Sequence, residues 1–181
     1  MNQTPTTFWE LVAKTVVTHT VTYFLVGLLA FVSLDYARKF TETDLQLLMR
    51  QTGDPMVMAG PLFQPIRGFL FGVVLYPLRE TLFNKKRGWL VLWGVLVVVG
   101  VLGTFGPAPG SLEGMIYTKL SWRTQLEVLP EVILQPLLLS VILCYWVRHP
   151  KRWINWCLGI LFFLVLLFPI LGLLARPALA P

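Results

Sequence analysis

The chain has 181 residues, of which 56% are hydrophobic and 13% are charged, and its mean hydropathy is +0.69. This balance excludes an ordinary water-soluble globular domain. A helix that crosses the hydrocarbon core of a bilayer needs about 20 mostly apolar residues, so the chain has room for several spans and little else. The sequence therefore predicts a single all-α membrane domain over residues 1–181.

The formal net charge of +6 does not indicate nucleic-acid binding. Its basic residues cluster at the ends of apolar runs, as they do beside membrane spans, and form no continuous stripe. Cys144 and Cys157 are far apart and belong to no CxxC pattern, so neither a metal site nor a thiol redox motif is predicted.

Five apolar runs predict a polytopic helical bundle with five transmembrane helices, at about 15–34, 56–77, 88–105, 126–147 and 153–174. The first run ends at Asp35. Residues 41–54 are too polar to cross the bilayer, but their leucines predict a short helix lying in the interface. The third and fifth runs contain no charged residue.

The second and fourth runs are interrupted by polar residues. Pro65 in the second run lacks a backbone donor and predicts a kink. Each run also carries a Gln-Pro pair, Gln64-Pro65 and Gln135-Pro136, in its first half, and each is followed by a basic turn and a Trp. One interpretation is an internal repeat of a helical hairpin, as transporters often have.

Orientation follows from the distribution of Lys and Arg in short loops. Eight basic residues fall on one side and six on the other, with one intramembrane arginine set aside. The eight are Lys14, Arg79, Lys85, Lys86, Arg87, Arg148, Lys151 and Arg152, and the six are Arg38, Lys39, Arg50, Lys119, Arg123 and Arg176. Seven of the eight lie in two short turns. The pattern predicts a cytoplasmic (inner) membrane protein whose N-terminus is cytoplasmic and whose C-terminus is outside.

The charges inside the predicted spans are the candidate functional residues. An ionised side chain at the centre of a membrane helix costs about 2.5–3.5 kcal/mol on insertion scales, so such groups usually face a partner or a cavity. Arg67 is the leading candidate. Gln64 shares its helix face, while Glu127, Glu131 and Gln135 lie at i, i+4 and i+8 on one face of the fourth span.

These residues predict a polar cluster in the outer half of the membrane, in which Arg67 meets Glu131. The loop 106–125, which contains Glu113, is expected to cover the cluster. Three interpretations remain open at this stage: a structural ion pair between two helices, a binding site for a ligand or ion, and a lipid-facing pair that reaches toward the interface.

Two further patterns have alternative interpretations. His19 in the first span is a candidate ligand for haem or a chlorin, or a member of a polar helix-packing face with Thr15, Thr18 and Thr22. Gly68 and Gly72 form a GxxxG pattern, which predicts close helix packing within the chain or in a dimer. No cofactor is predicted.

The sequence contains no HExxH, GxSxG, Walker A or dinucleotide-binding motif. We therefore expect a non-catalytic function: binding or translocating a small solute, ion or lipid, or serving as a small subunit beside other membrane subunits or a second copy. The contrasting hypothesis is a membrane enzyme in which Glu113 or Glu131 acts as acid or base.

Overall fold

A computed structural model of the chain describes residues 6–42 and 44–175, and within these ranges it is helical without any strand. Three helical stretches are long and apolar enough to cross a membrane. They are α1 (Phe8–Ser33, 26 residues), the 27-residue stretch Trp122–Arg148, and α10 (Arg152–Ala175, 24 residues). These helices indicate a membrane protein.

The other helices are shorter. Between α1 and the stretch Trp122–Arg148 the chain forms α2 (Tyr36–Glu42), a 3₁₀ turn (Asp44–Leu47), α3 (Pro55–Met58), α4 (Gly60–Leu75), α5 (Arg79–Phe83), α6 (Gly88–Val97), a π-helical segment (Val98–Leu102) and α7 (Leu112–Tyr117). The long stretch itself consists of α8 (Trp122–Glu127) and α9 (Leu129–Arg148).

The first helix begins earlier than the apolar run at 15–34. The side chain of Thr7 caps its N-terminus by accepting from the backbone N–H of Glu10, at 3.3 Å. Glu10 then pairs with Lys14 one turn later, at 2.7 Å, so the early charges are neutralised on the helix itself. Beyond Ser33 the chain turns at Asp35, whose φ of 49° is left-handed, and continues directly into α2.

The polar segment 41–54 differs from the interfacial helix expected there. Among the described residues of this segment, the first two belong to the end of α2 (Tyr36–Glu42), and the 3₁₀ turn Asp44–Leu47 follows. Leu45 in this turn is buried in the protein, with 2% of its surface exposed. Packing within the protein therefore accounts for at least one of the apolar side chains that suggested an interfacial helix.

The second and third apolar runs form helices that are shorter than the runs. The second run is divided at Ala59 into α3 and α4, and α4 continues through Pro65 without ending. The third run changes to π-helical geometry, in which the N–H of Gly103 bonds to the C=O of Val98 at 2.7 Å. Such π segments are rare and often mark functional sites.

The helix α1 is the centre of the bundle. α4, α9 and α10 all pack against it and α6 packs against α9, whereas α4 and α6 make no extensive contact with each other. α4 runs antiparallel to α1, because Val12 and Val16 of α1 lie against Gly72 and Gly68 of α4, respectively. One side of the bundle therefore has a gap between α4 and α6.

Both basic turns lie at the N-terminal end of α1. Leu11 shares a buried cluster with Leu82, Phe83 and Val147, which flank the two turns. Arg148 joins the turns directly, since its guanidinium donates to the carbonyl of Phe83 at 2.8 Å. The residues predicted to be cytoplasmic on the first helix and in the two turns are thus grouped at one end. Arg176, counted on the opposite side, lies outside the described residues.

The GxxxG pattern mediates packing within the chain. A Cβ atom added at Gly68 would lie 2.7 Å from the Cα of Val16, and one added at Gly72 would lie 2.8 Å from the Cα of Val12. These distances are too short for any side chain, so the two glycines allow α1 and α4 to approach closely. At Gly94 on α6, by contrast, an added Cβ meets nothing within 4 Å.

Gly68→Ala and Gly72→Ala should each lower the free energy of unfolding by about 1–3 kcal/mol, because the new methyl group meets backbone that cannot yield locally. Gly94→Ala is the control and should be neutral or slightly stabilising, since alanine favours helix. Unfolding in mixed detergent micelles, followed by circular dichroism, measures the difference. If Gly68→Ala and Gly94→Ala changed the free energy of unfolding equally, that result would contradict the close packing of α1 against α4.

Candidate functional site: a polar hub beside a lateral cleft

His19 connects three helices through hydrogen bonds. Its ring is buried, with 1% of the residue exposed. The Nε2–H donates to Oε1 of Gln64 on α4 at 3.2 Å, and Nε2 of Gln135 on α9 donates to Nδ1 at 3.3 Å. This pattern fits the neutral tautomer that carries its proton on Nε2. The two Gln-Pro pairs of the sequence thus meet on one histidine.

The threonines around His19 form the rest of a polar packing face. The Thr15 hydroxyl donates to the carbonyl of Leu11 and the Thr22 hydroxyl to that of Thr18, both at 2.8 Å, so these groups are satisfied within α1. Thr22 also accepts from Gln135 at 3.4 Å. The edge of the His19 ring meets Phe71, with 5.0 Å between ring centroids.

These contacts favour the helix-packing interpretation of His19 over haem or chlorin ligation. Both ring nitrogens already bond to glutamine side chains, and an axial ligand needs one of them free. The second histidine, His149, stacks on Tyr145 at the end of α9, with ring centroids 4.6 Å apart, so it lies at the basic turns and away from the hub.

The acidic face of α9 pairs with the segment that follows α1. The Tyr36 hydroxyl donates a hydrogen bond to Oε2 of Glu131. One turn earlier on the long helical stretch, Glu127 lies 2.7 Å from the Lys39 ammonium and 2.8 Å from the Arg123 guanidinium. Tyr36 and Lys39 of α2 thus pair with Glu131 and Glu127, respectively. These contacts hold α2 against the fourth apolar run.

Asp44 extends this docking to the 3₁₀ turn. Its carboxylate accepts from the backbone N–H of Ser121 at 2.5 Å and from the Thr124 hydroxyl at 3.3 Å. The hydrogen bond from Ser121 is the main reason that the pKa of the Asp44 carboxyl lies below its ordinary value. The connection after α1 and the start of α8 therefore behave as one joined surface.

The loop before α8 is organised by Gln125. Its side chain is buried, accepts from the N–H of Gly110 at 2.6 Å, and donates to the carbonyl of Gly114 and the hydroxyl of Thr118, each at 3.0 Å. Gly110 has φ +82°, which a residue with a side chain rarely adopts. Gln125 thus holds the loop in place through three hydrogen bonds.

The loop 106–125, which the sequence predicts to cover the polar cluster, contributes no residue to the lining of the cavity described next. Glu113 of this loop lies half-buried on α7. Glu127, in its ion pairs with Lys39 and Arg123, does not line that cavity either.

A cavity of about 240 Å³ occupies the gap between α4 and α6, with α1 and α9 behind it. Its polar lining comes from Arg67, Glu131, Gln135 and Tyr23. Its apolar lining includes Phe71, Leu96, Val101, Val132 and Leu139. We call this space the lateral cleft, because it lies between two helices that make no extensive contact with each other.

The third apolar run is positioned beside the cleft by two features. Trp93 of α6 donates from its indole N–H to the carbonyl of Ile133 on α9, at 3.2 Å. Farther along, the π segment places Gly100 and Val101 in the cleft wall, and an added Cβ at Gly100 would meet nothing within 4 Å. Because Gly100 has no side chain, the cleft stays open beside it.

Arg67 and Glu131 line the same cleft but do not form the expected ion pair. The Arg67 side chain is exposed to the cleft, and its guanidinium lies over the Phe71 ring, 5.5 Å from the centroid. It makes no ion pair with any residue in 6–42 or 44–175. Glu131 bonds instead to Tyr36. The cleft thus presents a separated cation and carboxyl group.

Sequence patterns did not single out several residues of the site. Tyr36 lies just after a span, where an aromatic residue is usually read as an interface anchor. Tyr23 and Phe71 lie within apolar runs, and Gly100 is one of many glycines. Helical spacing from Arg67 could have pointed to one of them, since Phe71 lies at i+4 from Arg67.

Within the described part of the chain, no three His, Cys, Asp or Glu residues are grouped so that they could hold a metal ion. No protein-family model, curated protein or solved structure matches the chain. Functional inference therefore rests on the geometry of the hub and the cleft.

Replacing His19 by Leu should lower the free energy of unfolding by about 1–3 kcal/mol, because Gln64 and Gln135 then lose a buried hydrogen-bond partner. The control is His149→Leu at the other, exposed histidine, which should change stability little. The triple variant His19→Leu, Gln64→Leu, Gln135→Leu should recover part of the loss, since no unsatisfied partner remains. Detergent unfolding curves measure all three; an unaffected His19→Leu protein would contradict the hub.

Proposed function

We propose that this chain is a five-span membrane protein that binds a small solute or lipid in the lateral cleft. The observation that carries the proposal is the separated pair of Arg67 and Glu131 on the walls of one cavity, among apolar side chains and beside a gap between helices. The N-terminus is cytoplasmic and the C-terminus outside.

The packing of α4 and α6 supports five spans. At about 1.5 Å per residue, α4 and the stretch Gly88–Leu102 are each about 23 Å long, shorter than a hydrocarbon core of about 30 Å. Yet α4 lies along α1 in antiparallel register, and α6 lies along α9. Because α1 and α9 belong to candidate spans, their neighbours share the same depth.

The two ends of the bundle support the orientation. Lys14, the turn at α5 and the turn after α9 are grouped at one end. At the other end, Lys39 and Arg123 are paired with Glu127. The first group carries the concentrated positive charge that short cytoplasmic loops usually have.

The lack of an ion pair between Arg67 and any described residue supports a ligand in the cleft. An arginine inside a span is costly unless it is paired or reaches water. Phe71 offers its ring face, which supplies only part of the missing interaction. The neighbouring wall carries hydrogen-bonding groups from Gln135 and Tyr23, which are the kind of converging polar groups that fix a ligand in a mostly apolar pocket.

The other functions considered for the sequence have less support. Glu131 is engaged with Tyr36, and Glu113 lies on α7 outside the cleft wall, so the two candidate acid or base residues do not share one cavity. The apolar outer faces of a membrane protein contact lipid in any case, so they do not favour a subunit of a larger complex.

Labelling of single cysteines tests the five spans. In a protein with Cys144 and Cys157 replaced by Ala, a membrane-impermeant maleimide should modify Lys119→Cys in intact cells, but Lys86→Cys and Lys151→Cys only after permeabilisation. If only the three long helical stretches crossed the membrane, Lys86 would lie on the same side as Lys119. Modification of Lys86→Cys in intact cells would therefore contradict five spans.

Filling the cleft tests the binding site. Gly100→Leu adds a side chain to the cleft wall, and should reduce the amount of small molecule retained after purification in mild detergent by about tenfold or more. Gly94→Leu is the matched control on the same helix, outside the cleft lining, and should retain it. Mass spectrometry of extracts gives the molar ratios. A wild-type protein that retains nothing, or equal retention in both variants, would count against the site.

A further inference from the structure

The two charged groups of the lateral cleft lie on two different helices that line it, Arg67 on α4 and Glu131 on α9. They are not bonded to each other. Glu131 uses Oε2 for Tyr36, while its Oε1 makes no hydrogen bond with the described residues. Each wall therefore offers one charge-bearing group to whatever enters the space between them.

A ligand with a single charge would satisfy only one of these groups. An anion would pair with Arg67 but would leave Glu131 facing a negative charge, and a cation would do the reverse. Leaving a charge unpaired in a poorly solvated site is costly, whereas a ligand with both charges matches both walls. The cleft is therefore complementary to a zwitterion.

The rest of the cleft indicates where the ligand comes from. Phe71, Leu96 and Val132 make much of its surface apolar, and it opens in the gap between α4 and α6. In a five-span arrangement that gap faces the hydrocarbon of the bilayer. A molecule that enters there carries apolar chains, which can stay in the lipid while the head group occupies about 240 Å³ between the helices.

We propose that the ligand of the lateral cleft is an aminophospholipid of the phosphatidylethanolamine class, an inference that rests on the proposed function. The phosphate pairs with the Arg67 guanidinium, whose planar N–H groups suit two phosphate oxygens at once. The primary ammonium, an ethylene bridge away, donates to the Glu131 carboxylate. A choline head group has no N–H to donate, and a glycerol head group has no positive charge.

Tyr36 has a positioning role in this arrangement. Its hydroxyl holds one oxygen of Glu131 toward α2, which leaves the other oxygen for the ammonium. The position of Arg67 along α4 also distinguishes this site from ordinary contacts with lipid head groups at the membrane surface. Arg67 lies seven residues into α4, about 10 Å along the axis from Gly60. A head group held there is drawn well below the end of the helix.

A competition experiment tests the proposal on the full chain. Delipidated protein in mild detergent is mixed with equal amounts of dioleoyl phosphatidylethanolamine, phosphatidylcholine and phosphatidylglycerol, and the bound lipids are counted by native mass spectrometry. The wild-type protein should select phosphatidylethanolamine by about tenfold over each competitor, the ratio expected from one charge-assisted hydrogen bond.

Variants assign the selection to the two groups. Glu131→Gln should bind phosphatidylglycerol and phosphatidylethanolamine about equally, and Arg67→Gln should lose binding of all three lipids by about tenfold. Tyr36→Phe removes the hydrogen bond that positions Glu131 but keeps the carboxylate, so it should keep a preference for phosphatidylethanolamine that is weaker than that of the wild type. Glu127→Gln and Arg123→Gln, outside the cleft, should behave as wild type.

The outcomes separate this proposal from the broader one. Binding of lipid without head-group preference, or a preference that Glu131→Gln leaves unchanged, would overturn the aminophospholipid assignment and leave a lipid-binding cleft. Retention of no lipid at all would overturn the assignment of a lipid ligand, while the broader proposal of a bound small molecule is decided by the Gly100→Leu experiment. The wild-type competition gives its answer even if a variant fails to fold.

Discussion

The structure depends on the hydrogen bonds by which His19 joins α1 to Gln64 of α4 and Gln135 of α9. Inside a membrane, polar side chains have no water to bond, so they must find partners on neighbouring helices. Few arrangements satisfy both ring nitrogens at once, and this one fixes the rotation of three helices about their axes. The close approach at Gly68 and Gly72 then fixes the spacing of α1 and α4.

The same requirement explains the cleft. Once Gln135 is engaged with His19, the face of α9 that continues through Glu131 and Glu127 points toward the segment after α1, where Tyr36 and Lys39 bond to it. Glu131 is thereby occupied on one side and directed away from Arg67. Arg67 is left on the wall of a cavity, and in the proposed function a molecule from outside the chain compensates its charge.

The sequence predicted the features that depend on local pattern. The fifth apolar run is a single helix, α10, and the glycines at i and i+4 mark a close helix contact. Spacing also placed Glu127, Glu131 and Gln135 on one face. What the sequence could not predict was the partner of each residue, because that depends on how α2 folds back after the left-handed turn at Asp35. The π segment beside Gly100 likewise has no signature in a uniformly apolar run.

The most direct test of this account is electron cryo-microscopy of the full chain in lipid nanodiscs containing phosphatidylethanolamine, with a rigid antibody fragment bound to add mass. The account predicts that Arg67 and Glu131 stand apart on the walls of an open cleft, with head-group density between them and acyl chains leaving between α4 and α6. A closed cleft, in which α4 packs on α6 and Arg67 pairs directly with Glu131, would contradict it.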